Sequence, residues 1–322
     1  MSMKAFRGLL VLAAVLSLTG CHTVLMSPSG DVALQQRNLI IVSLILMLLI
    51  VVPVIVTVLV FAWRYRANNH KAKYDPEWDH STIVELMIWA APLLIIIALG
   101  AVTWVSAHKL DPYRPLDRLA PGKPVPAGMK PLEVDVVALD WKWLFIYPEQ
   151  HIAVVNELAA PVNRPIHFNL TASTVMNSFF IPALAGQIYA MPGMQTTLQA
   201  VINKPGDYTG FSANYSGAGF SYMDFTFHGL SEGDFAKWVT RVKGSGDRLD
   251  RTSYASLEAP SERNPVHYYG SVAPGLYGSI LNRCVHPGVA CMNMLRTPES
   301  GEEPEAAAPS SNHDAMSMAH PQ

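Results

Sequence analysis

Charge is scarce in this 322-residue sequence: Asp, Glu, Lys and Arg make up 15% of it, while apolar residues make up half. That balance excludes an ordinary soluble domain and calls for membrane segments beside at least one folded unit. A basic excess is missing too, since the formal net charge is −2, which leaves no surface for nucleic acid. No phosphate-binding glycine loop, nucleophile elbow or pair of catalytic carboxylates occurs. The eleven histidines form no HxxxH or His–carboxylate pattern of metal-ligand type. No catalytic centre is expected in the chain itself. Cysteine is limited to Cys21, Cys284 and Cys291.

What is present begins with a leader. Lys4 and Arg7 precede a short apolar core, Leu9 to Leu16, which cannot span a bilayer. Leu18-Thr19-Gly20-Cys21 resembles a bacterial lipobox, with small residues before the cut and a thiol after it to carry diacylglycerol. Residues 1–20 are thus expected to be a lipoprotein signal peptide, Cys21 the lipidation site and 21–37 a periplasmic segment. Two long apolar runs follow at 39–63 and 83–105, within a hairpin over 38–110. Each covers a hydrocarbon core of roughly 30 Å as a helix, the only open-chain form that satisfies its backbone in lipid. Pro53 and Pro92 lie within the spans, and Trp63 and Trp104 suit interfacial anchors. Arg64, Arg66, Lys71 and Lys73 place the intervening loop in the cytoplasm. A lipid on Cys21 demands the same orientation, so the remainder lies outside.

Residues 111–130, rich in proline and polar groups, read as a linker. Then the period becomes two: Leu132-Glu133-Val134-Asp135-Val136 alternates, and strand-like segments recur at 152–156, 165–171, 196–202 and 222–228. Breaks such as Pro192-Gly193 and Asn203 to Gly206 separate them. Short strands at this spacing predict an antiparallel sandwich over 131–230. Helical patterns follow around Asp234–Val242 and Pro274–Asn282 within 231–296. A Glu-, Pro-, Ala- and Ser-rich tail at 297–322 is expected to be disordered.

Several segments in this order carry a specific resemblance. Asp140-Trp141-Lys142-Trp143, Tyr147-Pro148-Glu149-Gln150, Val175 to Pro182 and Gln187 to Met194 are similar to core segments of subunit II of the haem–copper oxidases, in its quinol-oxidase branch. The resemblance spans about residues 21–295. It implies a helical hairpin followed by an all-β, cupredoxin-like Greek-key sandwich and a small C-terminal helical region.

Members that oxidise cytochrome c hold two coppers in this sandwich, on an upstream His and a Cys-x3-Cys-x3-His-x2-Met loop with a Glu carbonyl. Gly210 to Met223 aligns with that loop without a gap. The cysteine positions are Ser212 and Ser216, the glutamate position Asn214, the loop histidine Phe220 and the upstream histidine Asn177. Only Met223 remains. Thiolates are soft donors that hold copper; serine hydroxyls are hard and stay protonated, and phenylalanine donates nothing. The resemblance then implies no metal in this chain and no cytochrome c partner. Electrons would come from ubiquinol, oxidised in subunit I, which would hold the haems and one copper.

Glu85 is an acid within a span, where mid-membrane placement costs roughly 2.5–3.5 kcal/mol and less near an end. By position alone, an interfacial carboxylate and a proton-handling one are equally good readings; the resemblance implies the entrance of a proton pathway into subunit I. Trp141 and Trp143 read as core or as contact with subunit I. Cys284 and Cys291, with six residues between them in an outer compartment, read first as a disulfide, then as free thiols, and last as a metal site with His286. They lie too far from the loop to replace its cysteines. His313, Met316, Met318 and His320 could at most bind copper weakly.

The expected protein is thus a non-redox subunit of a proton-pumping quinol oxidase in the bacterial inner membrane, multi-pass and lipid-anchored, with a periplasmic C-terminal domain. Its partners would be subunit I, the smaller subunits III and IV, and membrane lipid. Two rival readings are a copper-bearing cytochrome c oxidase subunit and a stand-alone envelope lipoprotein.

Overall fold

The structure is a computed structural model and describes residues 24–72 and 76–295. The leader with Cys21, Lys73 and the tail with His313, Met316, Met318 and His320 lie outside these residues. Helix α1 spans Asp31–Arg64 and α2 spans Thr82–Lys109. At 1.5 Å per residue they are about 51 and 42 Å long, so both exceed the hydrocarbon thickness. Their apolar side chains are exposed on all sides, with Leu49 at 63% and Trp89 at 77%, an arrangement suited to lipid and not to water. Pro53 withdraws one backbone donor from α1, and Thr57 Oγ1 donates to the Pro53 carbonyl at 2.7 Å nearby.

α1 starts eight residues before the apolar run. Its first turn does not face lipid but docks on the folded domain: Asp31, Val32 and Ala33 are buried. Gly30 N–H donates to Ala183 O at 2.8 Å, Ala33 N–H to Leu184 O at 3.3 Å, and Gly30 bridges Ile202. Hydropathy alone assigned this stretch to a periplasmic segment, because Asp31, Gln35 and Arg37 interrupt it. The supposed linker is also structured, as β1 (Arg118–Ala120) and β2 (Lys123–Pro124) form a small hairpin. Arg118 Nε donates to Asp31 Oδ2 at 2.9 Å, tying hairpin to helix.

The sandwich comprises β3 (Leu132–Leu139), β4 (Lys142–Tyr147), β5 (Ile152–Val155), β6 (Glu157–Pro161), β7 (Pro165–Ala172), β8 (Asn177–Phe180), β9 (Ile188–Ala190), β10 (Thr196–Val201), β11 (Gly206–Ser212) and β12 (Asp224–Leu230). Beyond it lie α3 (Glu232–Lys243), β13 (Arg248–Leu249), α4 (Arg251–Glu258), β14 (His267–Tyr269), β15 (Ser271–Val272), α5 (Leu276–Leu281) and α6 (Met292–Leu295). One sheet has the order β10-β7-β3-β4-β5-β14 and the other β6-β12-β11-β8-β9. The expected antiparallel pairing needs a correction: β3 pairs with β7 and β6 with β12 in parallel. The chain crosses between sheets after β5 and after β7, so these neighbours are not joined by hairpins, which are all that local strand spacing reports.

The 231–296 region carries the expected helices and also adds a strand to the sandwich. β14 completes the first sheet beside β5, and Phe235, Trp238 and Val242 of α3 enter the main core. Ser231 caps α3, its Oγ accepting from Asp234 N–H at 3.1 Å. Tyr254, Leu276 and Ile280 cover the outer face of β3, β4 and β5. Burial on both faces explains why β4 is apolar from Trp143 to Tyr147 instead of alternating. Lys142 is tied into the same seam, with Nζ donating to Ala259 O at 2.8 Å; burial pulls its ammonium below the usual lysine range.

Asp135 on β3 is 8% exposed and accepts from Asn169 Nδ2 at 3.1 Å. Burial pushes its carboxyl up to about 6 from 3.8, against the lowering effect of that hydrogen bond. The folded state therefore holds this proton more tightly than the unfolded one, so Asp135 loses stability as pH rises from about 4 through about 6. Asp135→Asn should abolish that loss and leave the protein more stable at pH 7.5 by about 1–3 kcal/mol. Urea unfolding at pH 4 and 7.5 checks it; equal pH slopes for the two proteins would contradict the assignment.

Candidate functional site

The loop between β11 and β12 lies at one end of the second sheet, beside the start of β8. Asn177 opens β8 and Ser212 closes β11; Phe179 pairs with Ser212 in register. Ser212 Oγ donates to Asn177 Oδ1 at 3.0 Å, with both residues buried. Ala213 N–H donates to Ser178 O at 2.9 Å. Ser216 Oγ lies 3.9 Å from Met223 Sδ, and Trp143 Nε1 donates to Met223 O at 3.4 Å. Asn214 meets the cluster through its carbonyl, which accepts from Ser212 Oγ at 3.2 Å. Phe220 turns its ring against Tyr215, with centroids 5.6 Å apart. The positions singled out from the sequence thus gather at one end of the sandwich, with Phe220 set toward Tyr215. Their donors are an amide, two hydroxyls and a thioether.

Trp141 holds the loop from below, and this the sequence reading missed. Its Nε1 donates to Ser216 O at 2.9 Å. A Cβ at Gly219 would come within 2.6 Å of its ring, and one at Gly217, where φ is +119°, within 2.9 Å. Only glycine lets the backbone lie flat on the indole. The G-x-G spacing at 217–219 was the available signal. Trp143 is fully buried and stands at the centre of the aromatic core, 5.3 Å from Phe179. Arg263, reaching over from the C-terminal region, stacks on Tyr222 at 4.0 Å.

Glu85 lies far from this loop, in the first turn of α2. His80 Nδ1 is 2.8 Å from its Oε1, and His80 Nε2 is 3.2 Å from Thr82 Oγ1. The carboxylate is half exposed. Cys284 and Cys291 form a disulfide, with Cα atoms 4.7 Å apart. His286 is engaged elsewhere, 2.9 Å from Glu258 Oε2.

A hairpin of two apolar helices carrying a cupredoxin-type sandwich is the architecture of subunit II of the haem–copper oxidases. The family model "Cytochrome C oxidase subunit II, periplasmic domain" matches residues 130–229, and "COX Aromatic Rich Motif" matches 243–288. Cytochrome bo(3) ubiquinol oxidase subunit 2 of Pseudomonas putida is 51% identical over 276 residues, 86% of this chain and 85% of that protein. The protein of the same name from Pseudomonas aeruginosa is 47% identical over 96% of this chain and 90% of its own length. Ubiquinol oxidase subunit 2 of Acetobacter aceti is 50% identical over 84% of this chain and 85% of its own. The chain belongs to the ubiquinol oxidase subunit 2 family.

Proposed function

We propose that this chain is the non-redox subunit II of an inner-membrane quinol oxidase that oxidises ubiquinol, reduces O₂ to water and pumps protons. Its two helices would clamp subunit I, and its sandwich would cap the outer face. Cys21 would carry the lipid anchor after removal of 1–20, and subunits III and IV would complete the complex. The observation that carries the reading is the filled ligand site: Ser212 Oγ donates into Asn177 Oδ1 where two copper ligands would stand. Neutral hydroxyls, an amide and one thioether do not fit a two-copper centre, which needs thiolates and imidazoles. The loop is nonetheless held rigidly on Trp141, which supports a docking role for the scaffold without electron entry. Haems and one copper are assigned to subunit I, since no cluster of three or more His, Cys, Asp or Glu that could hold a metal occurs among the described residues.

Glu85 supplies the second part of the reading. On the inner side of α2, its carboxylate can take a proton from water and pass it toward subunit I. His80, in contact with the same oxygen, holds it at the mouth of the helix.

The complex, gently solubilised and purified through this subunit, is expected to carry haem, oxidise quinol and leave reduced cytochrome c unoxidised. Cytochrome c oxidation together with a near-infrared two-copper band would overturn the reading in favour of the copper-bearing subunit. Purification without haem would favour a stand-alone lipoprotein.

A further inference from the structure

Six methionines occur between residues 131 and 295: Met176, Met191, Met194, Met223, Met292 and Met294. They gather at the end of the sandwich that carries the β11–β12 loop. Met176 O accepts from Asn214 Nδ2 at 3.4 Å, and Met223 Sδ lies 3.9 Å from Ser216 Oγ. Ala190 pairs with Asn177 in register, which brings Met191 to the same end. Met292, which opens α6, closes over the turn that follows: its Sδ and Cε both lie 3.0 Å from where a Cβ on Gly193 would stand. Methionine commonly fills irregular gaps in a core. That role accounts for Met223, which is 1% exposed, but not for Met194 at 54% or Met176 at 38%.

The turn Met191-Pro192-Gly193-Met194 is closed by Met194 N–H, which donates to Met191 O at 3.3 Å. Pro192 in its second place and Gly193, with φ +70°, in its third are what a type II turn requires. Met191 and Met194 therefore have Cα atoms less than about 7 Å apart, and the Met292 thioether lies over Gly193 between them. Both halves are held without help from an ion. The Met191 carbonyl accepts from Thr171 Oγ1 at 3.2 Å and from Ala172 N–H at 3.4 Å. Met292 N–H donates to Asn282 O at 2.9 Å, directly after the Cys284–Cys291 disulfide. Arg283 is a charged neighbour, its Cδ 3.7 Å from the same Cβ position; it is exposed, so water and salt screen it.

We propose that Met191, Met194 and Met292 form a site for one cuprous ion, bound by three thioethers. Neutral sulfur donors are soft and suit Cu(I), whereas cations that prefer carboxylate or carbonyl oxygen gain little from them. A single thioether, as at Met223, holds copper weakly. Three on a pinned turn and its pinned neighbour act together, because little freedom is left to lose on binding. The site needs only the folded domain and is independent of the roles given to Glu85 and to quinol.

The test offers Ag(I), a redox-inert stand-in for Cu(I), to the purified complex before a brief exposure to hydrogen peroxide. Peptide mass spectrometry then reads sulfoxide at each methionine. Ag(I) should slow oxidation of Met191, Met194 and Met292 by about tenfold or more, and leave Met129 and Met176, both exposed, unchanged. Dialysis against Cu(I) under argon should add one copper per complex. Met194→Leu and Met292→Leu, which conserve volume and so the fold, should each abolish that uptake; His313→Ala with Met316→Leu should not. No added copper, equal protection of all methionines, or unaltered uptake in the leucine variants overturns the proposal. Uptake lost only with the His313→Ala and Met316→Leu pair overturns it as well, by moving the ion to the tail. The oxidation pattern uses the wild-type complex, so it decides the matter even where a variant assembles poorly.

Discussion

Glu85→Ala should slow quinol turnover by about tenfold while the complex assembles with its full haem content. A positioned proton-transfer group contributes roughly a hundredfold at a reacting centre; an inlet residue is worth less, because water reaches the path by other routes. Assembly should survive because the carboxylate is half exposed and its contact is with His80, also exposed. The loss should fall on steps that take up protons from the inner side. Glu85→Gln should behave like alanine, being unable to release a proton, whereas Glu85→Asp should retain most of the rate. Stopped-flow haem reduction with a pH indicator separates the outcomes. Wild-type proton uptake in Glu85→Ala would remove the proposed role.

Phe179→Ala should cost the folded domain about 3–5 kcal/mol. Phe179 is fully buried and stacks on Phe225 at 5.5 Å, with Trp143 at 5.3 Å and Phe168 at 5.4 Å. Truncation opens a cavity ringed by rigid aromatics that cannot collapse into it. The same residue pairs in register with Ser212, so the loop cluster should loosen as well. A fall in melting temperature of about 10 °C or more is expected in thermal unfolding followed by tryptophan fluorescence. A shift under about 2 °C would show that neighbouring rings repack.

Much of this was legible in the residues. The two spans could be read because lipid leaves an apolar run no other structure, whatever the rest of the chain does. The aromatic order around Trp141 and Trp143, and the gapless register from Gly210 to Met223, pointed to the family and grouped Asn177, Ser212, Ser216 and Met223 as one set of positions. The helix Arg251–Glu258 was not legible, since Asp250 caps it but only Tyr254 of its residues is buried, too little for a periodic pattern. The strand His267–Tyr269 was hidden for a related reason: three residues carry no period, and their partner lies more than a hundred positions earlier.

The sequence by itself determined the two apolar helices, the sandwich class and the family, because each depends on residue type and local spacing. Only the tertiary structure decided that Ser212 and Asn177 satisfy each other, that Trp141 underlies Gly217 and Gly219, and that Asp31 begins a helix instead of a loop. Asp31 looks exposed in sequence because it is charged. It is buried because Arg118, eighty-seven residues away, meets it across a fold, and burial depends on partners that no local pattern encodes.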